Sequence, residues 1–270
     1  MTYDDFTTLK VRIDQHIAWV TLDHPPINLL DLQLLAELDQ LGRALTDDTE
    51  VHVVVLDSAD PEFFCAHADI NLIKALPTDD TSLHTKLELF HSMVDRFRTM
   101  PKATIAIIEG ICRGGGSELA LSCDMRFAAL GRAVFAQPEV ALGIIPGGSG
   151  TQRLPVLIGR GRALEVVLGG ADVDAATAEQ WGYVNRALPD SELRPFVEAL
   201  AQRIASFPPA TIARAKSAVD AALADPISGL LVEAQQFRAS LSDPETHPRL
   251  EGFMELGGQT RHLEIQGFVH

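Results

Sequence analysis

Residues 105–119 read IAIIEGICRGGGSEL, an apolar run followed by a glycine triplet and then by the carboxylate of Glu118. We interpret the apolar run as a buried strand that leads through a glycine turn into a helix beginning at Ser117. Glycine has no Cβ, so the N–H groups of the turn can approach a bound ligand closely. The unpaired N–H groups of a helix start favour negative charge. The stretch therefore predicts a site for an oxyanion or a phosphate beside a carboxylate.

A second loop of the same kind lies downstream. Residues 137–151 read QPEVALGIIPGGSGT, in which Glu139 is followed by a glycine-rich turn and by a helix predicted to begin near Thr151. A single glycine triplet is more often a tight turn, and a glutamate in a first helical turn is favoured by the helix dipole alone. The repeated pairing of a carboxylate with a glycine loop, together with the upstream stretch FFCAHADI at residues 63–70, favours an active site.

In chain order, these three stretches resemble the AGADI, GGGxEL and QPExxLGxxPGxGGTQRL patterns of the crotonase superfamily, the enoyl-CoA hydratase and isomerase family. The resemblance extends from about Val11 to about Pro209 and is densest over residues 110–154. It implies an α/β fold, a crotonase-like (ClpP-like) spiral of ββα units with a helical C-terminal part. We expect residues 1–195 to form the spiral catalytic core and residues 196–270 to form a helical part that mediates trimerisation.

The resemblance also implies the site residues. The N–H groups of Ala68 and Gly115 would form an oxyanion hole around the thioester oxygen, where preorganised donors stabilise an enolate. Glu118 and Glu139 match the acid/base carboxylates, and Gly147 would give a backbone contact near the water or the acyl chain. The residues expected to contact the coenzyme A thioester are Ala66, Ala68, Asp69, Ile70, Gly115 and Gly147.

The two carboxylates favour one reaction of the family. Hydration needs a base that takes a proton from water and an acid that protonates the α-carbon. The resemblance assigns the α-carbon to Glu139 and the activation of water to Glu118, so we expect a lyase that hydrates trans-2-enoyl-CoA to 3-hydroxyacyl-CoA. An isomerase can work with one carboxylate, and it remains an alternative, as do other crotonase-family reactions. A catalytically silent acyl-CoA-binding subunit is the alternative from another class.

The sequence departs from the family pattern in two respects, at residue 67 and in the residues expected to bind the coenzyme A phosphates. His67 stands where the loop usually has glycine, and we favour a solvent-facing substitution over a group at the thioester. Asn71 occupies a position where lysine is frequent, so no lysine is visible there to anchor coenzyme A. Arg113 is a candidate substitute for binding the coenzyme A phosphates, although a solvated loop arginine is the simpler interpretation.

Composition excludes several other classes of protein. The 270 residues are 46% hydrophobic, which is enough for a sizeable core, and the formal net charge of −15 argues against a nucleic-acid surface. No apolar run suits a signal peptide or a membrane span, so we expect a cytoplasmic protein without a membrane partner. The resemblance implies a homotrimer or homohexamer that acts on an acyl-CoA thioester.

Other chemical motifs are missing from the sequence. Gly116 stands where a phosphate-binding loop would need lysine, and the chain has neither a GxSxG nor an HExxH motif. The three cysteines lack the spacing of metal ligands. We expect them to be free thiols that pack in the core or in loops, as in a protein of a reducing compartment. We expect no metal and no permanently bound cofactor, since coenzyme A enters as part of the substrate.

The remaining secondary structure is predicted from the spacing of apolar residues and from the turn residues between the apolar segments. Strands are predicted over residues 8–13, 17–22, 51–56, 104–109 and 125–129, of which the first two form a hairpin. Helices are predicted over residues 29–45, 82–98, 193–205 and 210–223. Residues 257–270 carry no motif and are expected to be flexible.

Overall fold

The computed structural model describes residue 3 and residues 5–77, 82, 86–223 and 226–267. Its strands, numbered in chain order, are β1 (Leu9–Asp14), β2 (Ile17–Leu22), β3 (Val53–Ser58), β4 (Phe63–Cys65), β5 (Ala103–Ile108), β6 (Ile111–Arg113), β7 (Met125–Ala129), β8 (Val134–Ala136), β9 (Val173–Asp174) and β10 (Arg186–Leu188).

The α-helices are α1 (Leu32–Asp47), α2 (Ile70–Lys74), α3 (Leu89–Thr99), α4 (Gly114–Leu121), α5 (Gly150–Ile158), α6 (Arg160–Gly169), α7 (Ala175–Trp181), α8 (Asp190–Ala205), α9 (Pro209–Asp220), α10 (Pro226–Leu241), α11 (Thr246–Glu255) and α12 (Arg261–Gln266). A short 3-10 helix spans Glu139–Leu142. Among the described residues, no helix is both long and apolar enough to span a bilayer.

The strands form two sheets. The large sheet has the order β1-β2-β3-β5-β7-β10 and is parallel except for the β1–β2 hairpin, whereas the small sheet has the order β4-β6-β8-β9. Successive strands alternate between the sheets: β3, β5 and β7 lie in the large one, and β4, β6 and β8 follow them into the small one. Helices α2 and α4 follow β4 and β6, so the chain repeats a ββα unit. This arrangement confirms the predicted spiral fold.

Both faces of the large sheet are covered, which explains its continuous apolar strands. Side chains alternate between the faces along each strand. One face packs against the leucines of α1 and contributes Val20, Val54, Leu56, Ala106, Ile108 and Ala128. The other face packs against the apolar stripe of α8 and contributes Ile17, Val53, Val55, Ile105, Ile107 and Phe127. Position 195, the predicted end of the catalytic core, lies inside α8, and the division into two parts stays a prediction.

Most predicted elements are present, with shifted ends. Strands β2 and β7 have the predicted bounds, and the other three predicted strands are displaced by one or two residues. The helix predicted over residues 82–98 begins later, at Leu89, and residues 83–85 lie outside the described part of the chain. The prediction of a flexible tail over residues 257–270 is wrong for residues 261–266, which form α12, whose first turn is capped by the Thr260 side chain. Residues 268–270 lie outside the described residues.

Candidate active site

Three neighbouring strands of the small sheet place the predicted loops together. Strands β4, β6 and β8 are adjacent and parallel, so their carboxyl ends lie at one edge of the sheet. The loop that holds Ala68 follows β4, helix α4 begins directly after β6, and the segment that holds Glu139 follows β8. In open parallel sheets, ligands bind beyond the carboxyl ends of the strands, because the loops that follow the strands meet there. The three motifs are distant in sequence and meet because of this topology.

The glycine triplet forms the first turn of α4. Gly114 has a φ of 48°, a left-handed value that favours glycine, and the helix begins there rather than at the predicted Ser117. A Cβ on Gly116 would lie 2.2 Å from the Cys65 carbonyl oxygen. The absence of side chains therefore lets the helix begin three residues earlier and pack directly against β4.

The two predicted oxyanion donors lie side by side. The Ala68 nitrogen lies 3.3 Å from the position that a Cβ on Gly115 would occupy. In the described part of the chain, neither N–H group donates to a protein acceptor. Gly115 is in the first turn of α4, where N–H groups have no partner within the helix. Two free donors therefore converge at the edge of the small sheet.

These donors open onto a cavity of about 330 Å³. Its wall includes the predicted residues Ala68, Ile70, Gly115, Glu118, Glu139 and Gly147. The rest of the wall is mostly apolar and includes Leu32, Leu35, Leu72, Ile73, Leu76, Leu89, Phe90, Leu142, Ile144, Ile145, Ala234 and Phe237. The structure therefore brings together both predicted carboxylates, both predicted donors and an apolar chamber.

Two predicted contact residues lie elsewhere. Ala66 is fully buried among Ile27, Phe63 and Ile111, and its N–H donates to the Ile27 carbonyl at 3.1 Å. The Asp69 carboxylate caps α2 by accepting from the Asn71 N–H at 2.8 Å. Both residues shape the loop around Ala68 and do not form the cavity wall.

Glu118 is buried and held by backbone amides. Its Oε1 accepts from the N–H groups of Gly148 and Gly150, each at 2.8 Å. Burial, followed by the charges of Glu233 and Glu139, raises the pKa of Glu118 well above its usual range, although the two amide bonds oppose the shift. Burial therefore disfavours the charged form of this carboxyl group, and the two amide bonds favour it.

Glu139 is held by a chain of hydrogen bonds from inside the protein. With its amide nitrogen turned toward the carboxylate, Gln137 donates to the two Glu139 oxygens at 3.1 and 3.2 Å, and its oxygen accepts from Ser117 Oγ at 3.2 Å. Ser117 Oγ lies 2.6 Å from the Tyr183 hydroxyl. Burial, with a contribution from the charge of Glu233, raises the pKa of Glu139 to about 8.

Two buried residues beside this site were not predicted from the sequence. Glu233 of α10 and His91 of α3 are 142 residues apart in the chain, and His91 Nε2 lies 3.0 Å from Glu233 Oε1. His91 also lines the cavity. Neither residue belongs to a motif, and the one available signal was a charged residue within the apolar segment LLVEA at residues 230–234.

The preferred interpretation of His67 as a solvent-facing residue is wrong. His67 is 4% exposed, and its Nδ1 lies 2.8 Å from the Ala68 carbonyl oxygen. A carbonyl only accepts hydrogen bonds, so Nδ1 carries a hydrogen. Nε2 lies 3.1 Å from Oε1 of Glu264, a buried residue of α12. The C-terminal helix therefore covers this ring, which the sequence of the loop alone could not show.

Both interpretations of Arg113 are also wrong. The side chain is neither solvated nor available for phosphates, because it is buried and forms two hydrogen bonds of 2.7 Å to the Asp172 carboxylate. Its third contact is a hydrogen bond of 2.6 Å to the main-chain oxygen of Glu264. Arg113 therefore fixes the C-terminal helix to the β6–α4 junction.

Comparisons with a family model, with curated relatives and with solved structures all match most of the chain to the same family. A family model described as enoyl-CoA hydratase/isomerase matches residues 12–259. The short-chain-enoyl-CoA hydratase of Clostridium acetobutylicum is 33% identical over 254 residues, covering 93% of this chain and 94% of the relative. A solved structure from Streptomyces avermitilis has 39% identity and a TM-score of 0.89, covering 96% of this chain and 95% of the other. The solved structure of an enoyl-CoA hydratase from Bacillus anthracis has 31% identity and a TM-score of 0.74, and the match covers 93% of this chain and 97% of the other.

Proposed function

This chain belongs to the enoyl-CoA hydratase/isomerase family, and we propose that it hydrates trans-2-enoyl-CoA thioesters to 3-hydroxyacyl-CoA. One observation carries the proposal: Glu118 and Glu139 line the same cavity as Ala68 and Gly115, whose N–H groups are free to bind an oxyanion. The relatives act on acyl-CoA thioesters as a family. Hydration is the family reaction that uses two carboxylates for two different proton transfers.

In the proposed reaction, the thioester oxygen accepts hydrogen bonds from Ala68 and Gly115. Water attacks the β-carbon, a C–O bond forms there, and the electron pair of the double bond moves toward the thioester oxygen as an enolate. The two donors are already in place, so they stabilise the new charge without reorganising. Losing one such donor typically raises a barrier by about 3–4 kcal/mol.

The two carboxyl groups complete the proton balance. Glu118 takes a proton from the attacking water, and Glu139 gives a proton to the α-carbon as the enolate collapses. Burial raises the pKa of both groups, and the pKa of about 8 for Glu139 lies near the working pH, which suits a group that must both hold and release a proton. Addition of the hydroxyl and the proton from the same side of the acyl chain gives a syn product.

The cavity wall is suited to an unsaturated acyl chain. Aliphatic and aromatic side chains dominate it, and an apolar chain gains free energy by leaving water for such a surface. Coenzyme A enters as part of the substrate, and the proposed reaction uses no further cofactor and no metal. Gly147 also lies at the cavity wall. A Cβ at this position would lie 2.7 Å from the Phe237 ring, so a larger residue would require the ring to move.

The proposal includes a homotrimer or homohexamer in the cytoplasm. Large apolar side chains remain exposed on several helices, among them Val156, Leu168, Val219 and Leu256. Their burial between subunits would remove this surface from water. The three cysteines are free and buried, which supports a reducing compartment.

A panel of acyl-CoA substrates tests the proposed reaction. The panel contains trans-2-enoyl-CoA thioesters of increasing chain length and the corresponding β,γ-unsaturated isomers, and the readout is the absorbance of the conjugated enoyl thioester. We expect loss of absorbance with the trans-2 members. An isomerase would instead create absorbance from the β,γ members, and a silent binding subunit would bind thioesters without turnover.

A further inference from the structure

The turn at residues 148–151 is shared between two buried carboxylates. The N–H groups of Gly148 and Gly150 donate to Glu118, each at 2.8 Å. The other two N–H groups of the turn donate to Glu233, at 2.5 and 2.8 Å. Consecutive amides therefore alternate between a carboxylate that lines the cavity and one that lies behind the turn.

The backbone of the turn is built for this alternation. Ser149 has a φ of 103°, a left-handed value that few residues other than glycine adopt. Its N–H points to Glu233, whereas the N–H groups of the two flanking glycines point to Glu118. A Cβ on Gly148 would lie 2.6 Å from Glu118 Oε2, so this glycine permits the close approach. The position of Glu118 thus depends on a turn that Glu233 holds from the opposite side.

Both carboxylate oxygens of Glu233 accept hydrogen bonds from the turn. Its Oε1 accepts from the Ser149 N–H, and His91 Nε2 lies 3.0 Å from the same oxygen. Its Oε2 accepts from the N–H and the hydroxyl of Thr151. Two backbone N–H groups and one hydroxyl therefore donate to the two oxygens, and hydrogen bonds to the charged form favour the charged form. The residue is 2% exposed, both of its oxygens accept hydrogen bonds, and it takes no part in the proposed bond-making steps.

We propose that Glu233 is a positioning residue of this active site: a fixed anion that orients the turn holding Glu118 and keeps a proton on the Glu118–Glu139 pair. The inference rests on the proposed function, because hydration requires one member of the pair as an acid while the other acts as a base. A nearby negative charge that cannot be neutralised opposes the loss of the last proton from the pair.

The charges around the pair support this assignment. The charge of Glu233 raises the pKa of Glu118 more than the charge of Glu139 does, and it also raises the pKa of Glu139. Other titratable or charged groups face the same region: His91 from α3, His67 from the loop after β4, and Arg153 of α5, which donates to Ser149 Oγ at 2.7 Å. These groups stay in place when Glu233 alone is changed.

The test compares kcat as a function of pH for the wild-type enzyme and for Glu233→Gln, with a trans-2-enoyl-CoA that the wild type hydrates. Glutamine keeps the shape and removes the charge. We expect the alkaline limb of the profile to move to lower pH by about one unit. A uniform loss of kcat with the limb unmoved would mean that Glu233 only supports the turn, and it would overturn the inference.

A matched control separates charge from support. Thr151→Val removes one hydroxyl donor from Glu233 and keeps both the charge and the backbone N–H. We expect it to lower kcat at every pH and to leave the alkaline limb in place. A limb that moves as far in Thr151→Val as in Glu233→Gln would contradict a role for the charge.

An infrared titration of the wild-type protein is independent of turnover and of the folding of any variant. Glutamate labelled with ¹³C at the side-chain carboxyl distinguishes protonated from ionised groups. We expect the wild-type protein to show a buried protonated carboxyl at pH 7. Complete ionisation of the buried carboxyls at pH 7 would overturn the inference. If the wild type hydrated no enoyl-CoA, the proposed function would fail while this titration would still report on the proton.

Discussion

At the scale of single residues, Glu118 and Glu139 show how the fold gives an ordinary side chain an unusual acidity. Glu118 is buried and Glu139 is half-buried at the cavity wall, and the loss of surrounding water disfavours their charged forms and raises their pKa values. Their hydrogen-bond partners differ, since backbone amides hold Glu118 and the Gln137 side chain holds Glu139. These partners fix the orientation of each carboxyl while burial sets its affinity for protons.

Removal of either carboxyl should abolish most of the activity. Glu118→Gln and Glu139→Gln should each lower kcat by about 10²-fold or more, with smaller effects on KM, because each removes a proton transfer and keeps the side-chain shape. Steady-state kinetics on a trans-2-enoyl-CoA measures this. Glu192→Gln, on the exposed first turn of α8, is the matched control and should retain the wild-type kcat. Near-full activity in either site variant would contradict the two-carboxylate mechanism.

The raised pKa of Glu139 also predicts how stability changes with pH. The pKa of this carboxyl rises from 4.5 to about 8 on folding, so between these values the folded state binds a proton that the unfolded state has lost. The unfolding free energy therefore decreases as pH rises through this window. Glutamine at position 139 does not titrate, so the Tm of Glu139→Gln relative to the wild type should increase from pH 5 to pH 8. A constant Tm difference across this range would contradict the raised pKa.

At the scale of secondary-structure elements, the strand–loop–helix junctions are the part of the site that sequence predicts well. The run at 105–108 is apolar at every position because both faces of β5 are covered, and the glycines after β6 mark a turn that needs φ > 0. The helix start after β6 is missed by three residues, because helix propensity disfavours glycine and here close packing against β4 decides the start.

The parts of the site that depend on distant elements are not predictable from one sequence. Nothing in the local sequence distinguishes Glu233 from an exposed glutamate on a helix. Its contacts arise only because α10 packs beside the turn at residues 148–151. His67 reads as an exposed loop residue until α12 covers it. A charge or an imidazole carries no local signal of burial, because its partners come from elsewhere in the chain.

The contact between α12 and the loop before α2 gives a prediction at this scale. His67→Leu removes the imidazole partner of the buried Glu264 carboxyl group, which keeps the Gln259 N–H as a donor, and leaving a buried polar group with fewer partners typically costs about 1–3 kcal/mol. The double variant His67→Leu/Glu264→Leu should recover a large part of the loss, because no unpaired charge remains. Urea unfolding of the two single variants and the double variant measures the coupling. Additive effects of the two substitutions would contradict a specific buried pair.

At the scale of the whole molecule, the helical C-terminal part both completes the site and exposes apolar surface. Helix α10 contributes Glu233 and Phe237 to the region of the cavity, while α9 and α11 leave Val219 and the adjoining Leu256 exposed at 69% and 77%. We expect a closed homo-oligomer of three or six subunits. Sedimentation equilibrium at micromolar concentration should give a multiple of three times 29.3 kDa, and a 29.3 kDa species would contradict this expectation.

Isotope incorporation tests whether this chain adds water across the double bond of an enoyl thioester. The enzyme is incubated with a trans-2-enoyl-CoA in D₂O enriched in ¹⁸O, and the intact thioester product is analysed by mass spectrometry. Hydration predicts one ¹⁸O at the β-carbon and one deuterium at the α-carbon, with coenzyme A still attached. Deuterium without ¹⁸O would show an isomerase, and ¹⁸O in a released carboxylic acid would show a hydrolase; either result would contradict the proposed function.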